Sequence, residues 1–188
     1  AFCYFIKKSY YLFMKQAVII YGPPGSGKGT QAELLARKRG FIHFDTGRYI
    51  ESLVHDPVLQ KNPIIRREGK NFDNGILCTP SWALKMVGDA TKRIAQSGFN
   101  IVYSGSPRTL FEAFGDEKNK GLISVLSKLY GKKNIFVIKL NVRAQSSIER
   151  NSHRLVCSVC GLPSLAAAKS KRCSLCEGGM RTRTLDDP

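Results

Sequence analysis

Residues 19–31 read IIYGPPGSGKGTQ. Two branched apolar residues run into four glycines, a lysine and a threonine. A loop of this kind between a strand and a helix presents backbone N–H groups that encircle a phosphate. The positive end of the following helix dipole points at the same place. The pattern is G-x4-G-K, with glycines at Gly22, Gly25, Gly27 and Gly29. Side chains there are expected to block close approach of the backbone or to forbid the required dihedrals. Lys28 can reach the outer phosphates of a nucleotide. The standard pattern has Ser or Thr directly after the lysine. Here that slot is Gly29, and Thr30 follows. The plain alternative, an ordinary glycine-rich turn, does not account for the lysine between a strand and a helix.

Outward from the loop, strand and helix patterns alternate. KQAVIIY (15–21) reads as a buried strand, and TQAELLARKRG (30–40) as a helix closed by a C-cap glycine. FIHF (41–44) is a short strand. Residues 46–95 show helical patterning broken by Pro57, Pro63, Gly69 and Gly75. NIVYSG (100–105) is a further strand, and GLISVLSKLYG (121–131) a helix capped by Gly131. NIFVIKLNV (134–142) is continuously apolar, as expected of a strand covered on both faces, and AQSSIERNSHR (144–154) is a helix. Such alternation predicts a parallel α/β sheet. Internal repeats and low-complexity stretches are absent.

The chain has 188 residues, 43% of them hydrophobic, which suits one globular domain with small inserted lobes. No apolar run reaches the ~20 residues that span a bilayer. The first residues, AFCYFIKKSYYLFM, are too short and too interrupted for a secretory signal. Met14 opens MKQAVIIYG, a plausible start, so residues 1–13 read as an extension without an assigned role. The formal charge of +16 favours polyanionic partners: nucleotides, phosphates or nucleic acid. A solvated basic surface also accommodates much of that surplus.

Four of the six cysteines fall within twenty residues, as C-x2-C, twelve residues, C-x2-C: Cys157, Cys160, Cys173 and Cys176. Each pair can aim two thiolates at one ion. Four thiolates satisfy tetrahedral zinc with no position left for water, so the site reads as structural. It would stabilise a lobe of about 30 residues that is too small for its own core. Two disulfides are the alternative in an oxidising compartment.

GPPGSGKGTQAELLA resembles the P-loop of the adenylate kinase family of nucleoside monophosphate kinases, where G-K-G-T-Q is the usual form. The likeness runs from Met14 to Pro188. It implies a P-loop NTPase-type α/β fold, a parallel sheet flanked by helices with small NMP-binding and zinc-lid insertions. It also implies phosphoryl transfer from ATP, with Mg2+, to a nucleoside monophosphate. Gly25, Ser26, Gly27, Lys28, Gly29 and Thr30 match the ATP-binding loop. FDTGRY matches the family's S-T-G at Thr46 and Gly47, and DNGILCTP its D-x-G-x-L-V, so Ile76, Leu77 and Cys78 would lie against the acceptor base. Cys78 is then a small apolar wall rather than a reactive thiol. SGSPRT resembles D-G-F-P-R-T: Gly105, Ser106, Pro107 and Arg108, with Arg108 a clamp on the acceptor phosphate through paired hydrogen bonds. IERNSHRLVC resembles R-x-x-G-R, so Arg150 and Arg154 are lid arginines. Their spacing places both on one helix face. His153 stands where glycine is usual. In RTRTLDDP, Arg183 is taken as a third lid arginine.

Several positions depart from the family. Glu51 stands where an arginine usually binds the acceptor phosphate, and its charge would repel that group; Arg48, Arg66 and Arg67 are candidates to compensate. Ser104 replaces an aspartate that helps organise magnesium waters, Ser106 a phenylalanine, and Glu112 the glutamine that reads adenine. These changes bear on which monophosphate is accepted more than on phosphoryl transfer, whose charge can be shared among lysine, arginines and magnesium.

The expected organisation is an extension at 1–13, a core at 14–45 and 76–153, an NMP-binding insertion at 46–75, a zinc lid at 154–183 and a return to the core at 184–188. The resemblance also implies a C-terminal strand and helix beyond Pro188, some 20–30 residues. The expected molecule is a cytoplasmic, monomeric enzyme. Two other classes stay open: a nucleotide-binding relative without turnover, and a zinc-ribbon protein that binds nucleic acid.

Overall fold

The computed structural model describes residues 15–152, 154–164 and 171–182. The 1–13 extension, His153, Arg183 and the 184–188 return lie outside the described residues.

The main sheet has four parallel strands in the order β2-β3-β1-β4: β1 Ala17–Tyr21, β2 Phe41–Phe44, β3 Asn100–Tyr103 and β4 Ile135–Lys139. β1 lies between β3 and β4, and its first four residues are buried. Successive side chains point to opposite faces. Ala17 and Ile19 pack with Ile101, Tyr103, Leu84, Val87, Leu122 and Leu126, while Val18 and Ile20 pack with Ala32, Phe41 and Val102. Helices therefore cover both faces: α1 (Lys28–Arg39) on one, α4 (Pro80–Gln96) and α6 (Leu122–Tyr130) on the other. Burying each of the larger aliphatic side chains contributes roughly 1.5–3 kcal/mol.

α1 begins two residues earlier than the sequence pattern suggests, at Lys28, and ends at Gly40 in the left-handed conformation. The stretch 46–80 folds back as α2 (Thr46–Val54), a 3-10 turn (Leu59–Lys61) and α3 (Pro63–Asp73), around Ile50, Val54, Cys78 and Ala83. Pro63 starts α3, where its missing N–H costs nothing. Gly69 does not break this helix: it lies buried inside α3, where an added Cβ would sit 3.5 Å from Val54. α5 (Leu110–Phe114) follows β3, and α7 (Ala144–Ser152) follows β4.

Two further expectations change. β4 is not covered on both faces. It is the edge of the described sheet, and Phe136, Val137 and Ile138 are 46%, 59% and 44% exposed. A run of apolar residues fits a buried strand and this edge equally well, because periodicity carries no neighbour information. Arg150 and Arg154 do not share a helix face either. α7 ends at Ser152, and Arg154 lies beyond it, with its N–H donating to Asn151 O at 3.1 Å.

A second, antiparallel sheet of order β6-β5-β7 is built from β5 (Leu155–Cys157), β6 (Pro163–Ser164) and β7 (Met180–Arg181).

Candidate functional site

The C-terminal ends of the parallel strands open on a cavity of about 750 Å³. In an open parallel sheet such a crevice is the usual ligand site. Gly25, Gly27, Lys28, Gly29 and Thr30 form one wall, and Ser104, Gly105, Ser106, Pro107 and Arg108 another. Arg150, Asn151 and Arg154 also line it, as do Pro163 and Ser164 of the small sheet. β3 ends at Tyr103 rather than 105, which releases Ser104 and Gly105 into this wall.

The glycine loop is shaped by close approach and by dihedral. Gly25 has φ 73°, and a Cβ there would come within 2.2 Å of Ser147 O on α7. The Ser147 hydroxyl donates to Pro24 O, tying α7 to the loop. Gly27 has φ 90° with open space around it, so its dihedral is the constraint. Gly29 meets neither condition: its φ is unremarkable and a Cβ would touch nothing in the protein. The demand for glycine there does not come from the loop itself.

Lys28 is half-buried, and its ammonium donates to Gly22 O and Pro23 O, both at 2.8 Å. Burial first, then the charges of Arg154 and Arg108, pull its pKa below the ordinary lysine value. Three cations thus converge on one cavity, an arrangement that a bound anion relieves. Ser26 Oγ and Asn151 Oδ1 are buried without a hydrogen-bond partner in the protein. Unpaired buried polar atoms are costly, and both lie in segments that bound the cavity.

A second cavity of about 80 Å³ adjoins it, lined by Thr46, Gly47, Ile76, Leu77, Cys78 and Glu112 among others. Gly47, Ser106 and Arg108 line both. Cys78 is buried, its Sγ lies 3.7 Å from Glu68 O, and burial pushes its thiol up to about 11, as befits an unreactive wall. Thr46 donates to Ser106 Oγ at 2.9 Å. Glu112 is partly committed: its Oε2 accepts the Arg108 backbone N–H at 2.7 Å. Arg108 Nε donates to Gly105 O at 2.9 Å.

The residues that depart from the family pattern have partners the sequence did not indicate. Glu51 pairs at 3.0 Å with Arg181 of the small sheet. Arg67 is engaged with the fully buried Glu68, which also accepts from the Thr79 N–H and hydroxyl. Arg48 passes beside Gly161, where an added Cβ would come 2.5 Å from its Nε. Arg66 is exposed. Ser104 receives His43, whose other ring nitrogen meets Glu33. Asp45, also at the cavity, caps α2 by accepting from Gly47 and Arg48 N–H. A histidine in the otherwise apolar strand FIHF was the one signal for this group.

The sulfur atoms of Cys157, Cys160, Cys173 and Cys176 lie within 4.8 Å of one another. Two of the separations, Cys157–Cys176 and Cys160–Cys173, are 3.5 Å, and all four residues are unbridged. Four thiolates about 2.3 Å from a tetrahedral zinc stand about 3.8 Å apart, so the cluster has the size that zinc requires. Backbone N–H groups of Val159, Cys160 and Leu175 point at Cys157 and Cys173 sulfurs at 3.4 Å, and such donors favour the thiolate. No helix among the described residues is long and apolar enough to cross a membrane.

Comparison with known proteins agrees with this geometry. The family described as an AAA domain matches residues 21–124. The adenylate kinase of Kosmotoga olearia is 30% identical over 175 residues, covering 91% of this chain and 76% of the relative. That of Borrelia turicatae is 29% identical over 173 residues, covering 90% and 74%. That of Clostridium botulinum strain Loch Maree is 32% identical over 146 residues, covering 77% and 61%. With its parallel sheet, its glycine loop at the end of β1 and its four-cysteine cluster, the chain belongs to the adenylate kinase family, and it is a P-loop nucleoside monophosphate kinase.

Proposed function

We propose that the chain transfers the γ-phosphoryl group of ATP to a nucleoside monophosphate, with AMP the foremost acceptor, so that ATP and AMP give two ADP. The observation that carries this reading is the pairing of cavities. Lys28, Arg108, Arg150 and Arg154 surround a large one beside the glycine loop, and a smaller apolar one shares Gly47, Ser106 and Arg108 with it.

In this reading Gly25 to Thr30 cradle the donor phosphates through backbone N–H groups, and the Ser26 hydroxyl gains a partner. Lys28 exchanges its carbonyl partners for phosphate oxygens. Arg108 is shared by both cavities and clamps the acceptor phosphate. Arg150, Arg154 and Arg183 neutralise charge on the transferring group. Thr46 and Gly47 bound the acceptor phosphate, and Ile76, Leu77 and Cys78 face its base. The acceptor phosphate is already ionised, so catalysis is positioning, charge neutralisation and exclusion of water. Mg2+ takes oxygen donors; the Thr30 hydroxyl at the cavity wall is one, and the cation would supply further neutralisation of phosphate charge.

Residues 46–75 form the NMP-binding insertion and 154–183 a lid. Zinc held by Cys157, Cys160, Cys173 and Cys176 gives the lid its rigidity. Lid closure keeps water from the donor phosphate, which would otherwise be hydrolysed. Pro163 and Ser164 in the cavity lining, and the Arg181–Glu51 pair between the lid and α2, support a lid that meets the insertion directly. The molecule acts as a monomer in the cytoplasm.

Ionised Glu112 can only accept hydrogen bonds. Its remaining capacity suits an exocyclic amino group and repels the O4 acceptor of uracil. AMP is therefore expected first and CMP second, ahead of UMP. A coupled assay of diphosphate formation gives kcat/KM for AMP, CMP, UMP and GMP in wild type and in Glu112→Gln. The reading expects the substitution to favour AMP over the others. UMP as best acceptor, or a ranking that Glu112→Gln leaves unmoved, means that Glu112 does not read the base. ATP binding without diphosphate from any acceptor would leave only a nucleotide-binding relative.

A further inference from the structure

Ser104 Oγ lies 2.8 Å from His43 Nε2, and His43 Nδ1 lies 3.1 Å from Glu33 Oε2. The other oxygen of Glu33 accepts from Arg37 Nε at 2.8 Å, so the carboxylate is held from two sides. Burial pushes Glu33 up, but the hydrogen bonds from Arg37 and His43 outweigh it and keep the carboxyl below its usual range. A carboxylate only accepts. The His43 Nδ1 must therefore carry the proton towards Glu33. In the neutral ring Nε2 then offers its lone pair, and the Ser104 hydroxyl donates to it. Nucleophile, base and orienting carboxylate stand in the order by which a serine hydroxyl is activated.

Three segments bring the group together. Glu33 is on α1, His43 on β2, and Ser104 follows β3, whose Val102 pairs with His43. Ser104 is 7% exposed and lines the cavity that holds Lys28, Arg108 and Arg154.

The same wall contains a built-in control. Ser106 is as buried as Ser104 and lines both cavities, yet its partner is the Thr46 hydroxyl, and among the described residues no imidazole bonds to it. Satisfying a buried hydroxyl needs no more than that. The oriented histidine at Ser104 exceeds the need.

We propose that Ser104 is a phosphoryl acceptor, activated by His43 and oriented through Glu33, so that the chain phosphorylates itself at Ser104 from the nucleoside triphosphate in its own cavity. This rests on the reading that the cavity holds such a nucleotide. Ser104 Oγ forms a bond to the γ-phosphorus and the bond from that phosphorus to the β,γ-bridging oxygen breaks. The Ser104 proton passes to His43 Nε2, and nucleoside diphosphate leaves. The products are phosphoserine, the diphosphate and a histidinium paired with the Glu33 carboxylate, which returns its proton to water. Charge on the transferring group is met by Lys28, Arg108 and Arg154. Self-phosphorylation competes with transfer to the monophosphate and proceeds when that acceptor is absent.

The test has two arms on one preparation of the full chain. The first uses a fluorophosphonate, which labels activated serines and needs no nucleotide. Ser104 is expected to be labelled at least about tenfold faster than Ser106, and His43→Gln to slow labelling about a hundredfold. Glu33→Gln is expected to slow it less, with partial recovery in Glu33→Asp. The second arm incubates the protein with Mg2+ and ATP without monophosphate, and maps added phosphoryl mass by peptide mass spectrometry. One phosphoryl group on the peptide containing Ser104, its loss in Ser104→Ala and stoichiometric ADP release are expected. AMP-dependent ADP formation is measured beside it. If that activity is present while Ser104 stays unmodified, the proposal is overturned and the kinase reading stands. If both are absent, both fall. Phosphorylation at the wild-type rate in a folded His43→Gln overturns the role of His43, and modification of Ser106 instead overturns the site.

Discussion

The two walls of the cavity are committed to very different degrees. The glycine-loop wall carries a single cation, Lys28, whose ammonium bonds only to the loop's own carbonyls, and Ser26 Oγ has no partner in the protein. On the facing wall the polar side chains already have partners. Ser104 has His43 and Ser106 has Thr46; beyond that wall, Glu112 in the second cavity has the Arg108 N–H and Glu51 on α2 has Arg181. In the proposed reading the glycine-loop wall is the donor side, shaped by backbone geometry. The proposed acceptor side is a network of side chains that includes the positions departing from the family pattern. In the proposed reading, chemistry shared across the family stays in the loop, and the departures opposite it bear on which acceptor is used.

The largest effect is expected at the small sheet. Purified protein should contain about one equivalent of zinc, and its binding should contribute on the order of 10 kcal/mol to folding of the small sheet. Chelation, or Cys157→Ser, is expected to abolish hydrogen-exchange protection at Val156, Cys157 and Met180 while β1 and β3 keep theirs. Absence of metal, or equal protection with and without chelator, breaks the picture of a separately stabilised lid.

Next is Lys28→Ala, which removes a cation from the donor wall. Its kcat should fall about a hundredfold or more, about 3 kcal/mol in the barrier, with the melting temperature little changed. Unchanged turnover would place the phosphate elsewhere.

In α3, Glu68 is 0% exposed. Burial pushes its carboxyl up, but hydrogen bonds from Thr79 and Arg67 outweigh it and hold the pKa below the usual value. A carboxyl whose folded pKa is depressed contributes stability above its unfolded pKa and loses it as pH falls through the folded one. Glu68→Gln is therefore expected to cost roughly 1–3 kcal/mol at neutral pH. The gap to wild type should close as pH drops from the ordinary carboxylate value downwards. Urea unfolding at stepped pH reads this, and a gap that widens in acid contradicts it.

The smallest effect is at Glu51–Arg181, where both side chains are more than a third exposed. A double-mutant cycle by thermal unfolding should give a coupling below about 1 kcal/mol, reduced by salt. Coupling well above that would make the pair a latch rather than a contact.

Much of the donor wall was legible because it is local. The strand, the loop and the helix that form it occupy one continuous stretch, and the four cysteines announce their centre by spacing alone. The acceptor network was not legible, because its partners are far apart in sequence: Glu33, His43 and Ser104 meet only through the parallel pairing of β2 with β3. The exposure of β4 was hidden for a related reason. IFVIK has the composition of a central strand, and only the sheet order shows it at the described edge. Arg150 and Arg154 reach the cavity as the sequence suggested, but by the end of a helix and the turn after it rather than by a shared face.

Direct transfer requires that phosphoryl pass from ATP to the monophosphate without stopping in water. ATP carrying labelled γ-phosphate, incubated with AMP, Mg2+ and the full chain, tests it most directly. The label is expected in the β-phosphate of the ADP formed from AMP, with little inorganic phosphate. Label found mainly as inorganic phosphate, or ATP left intact in the presence of AMP, would contradict it.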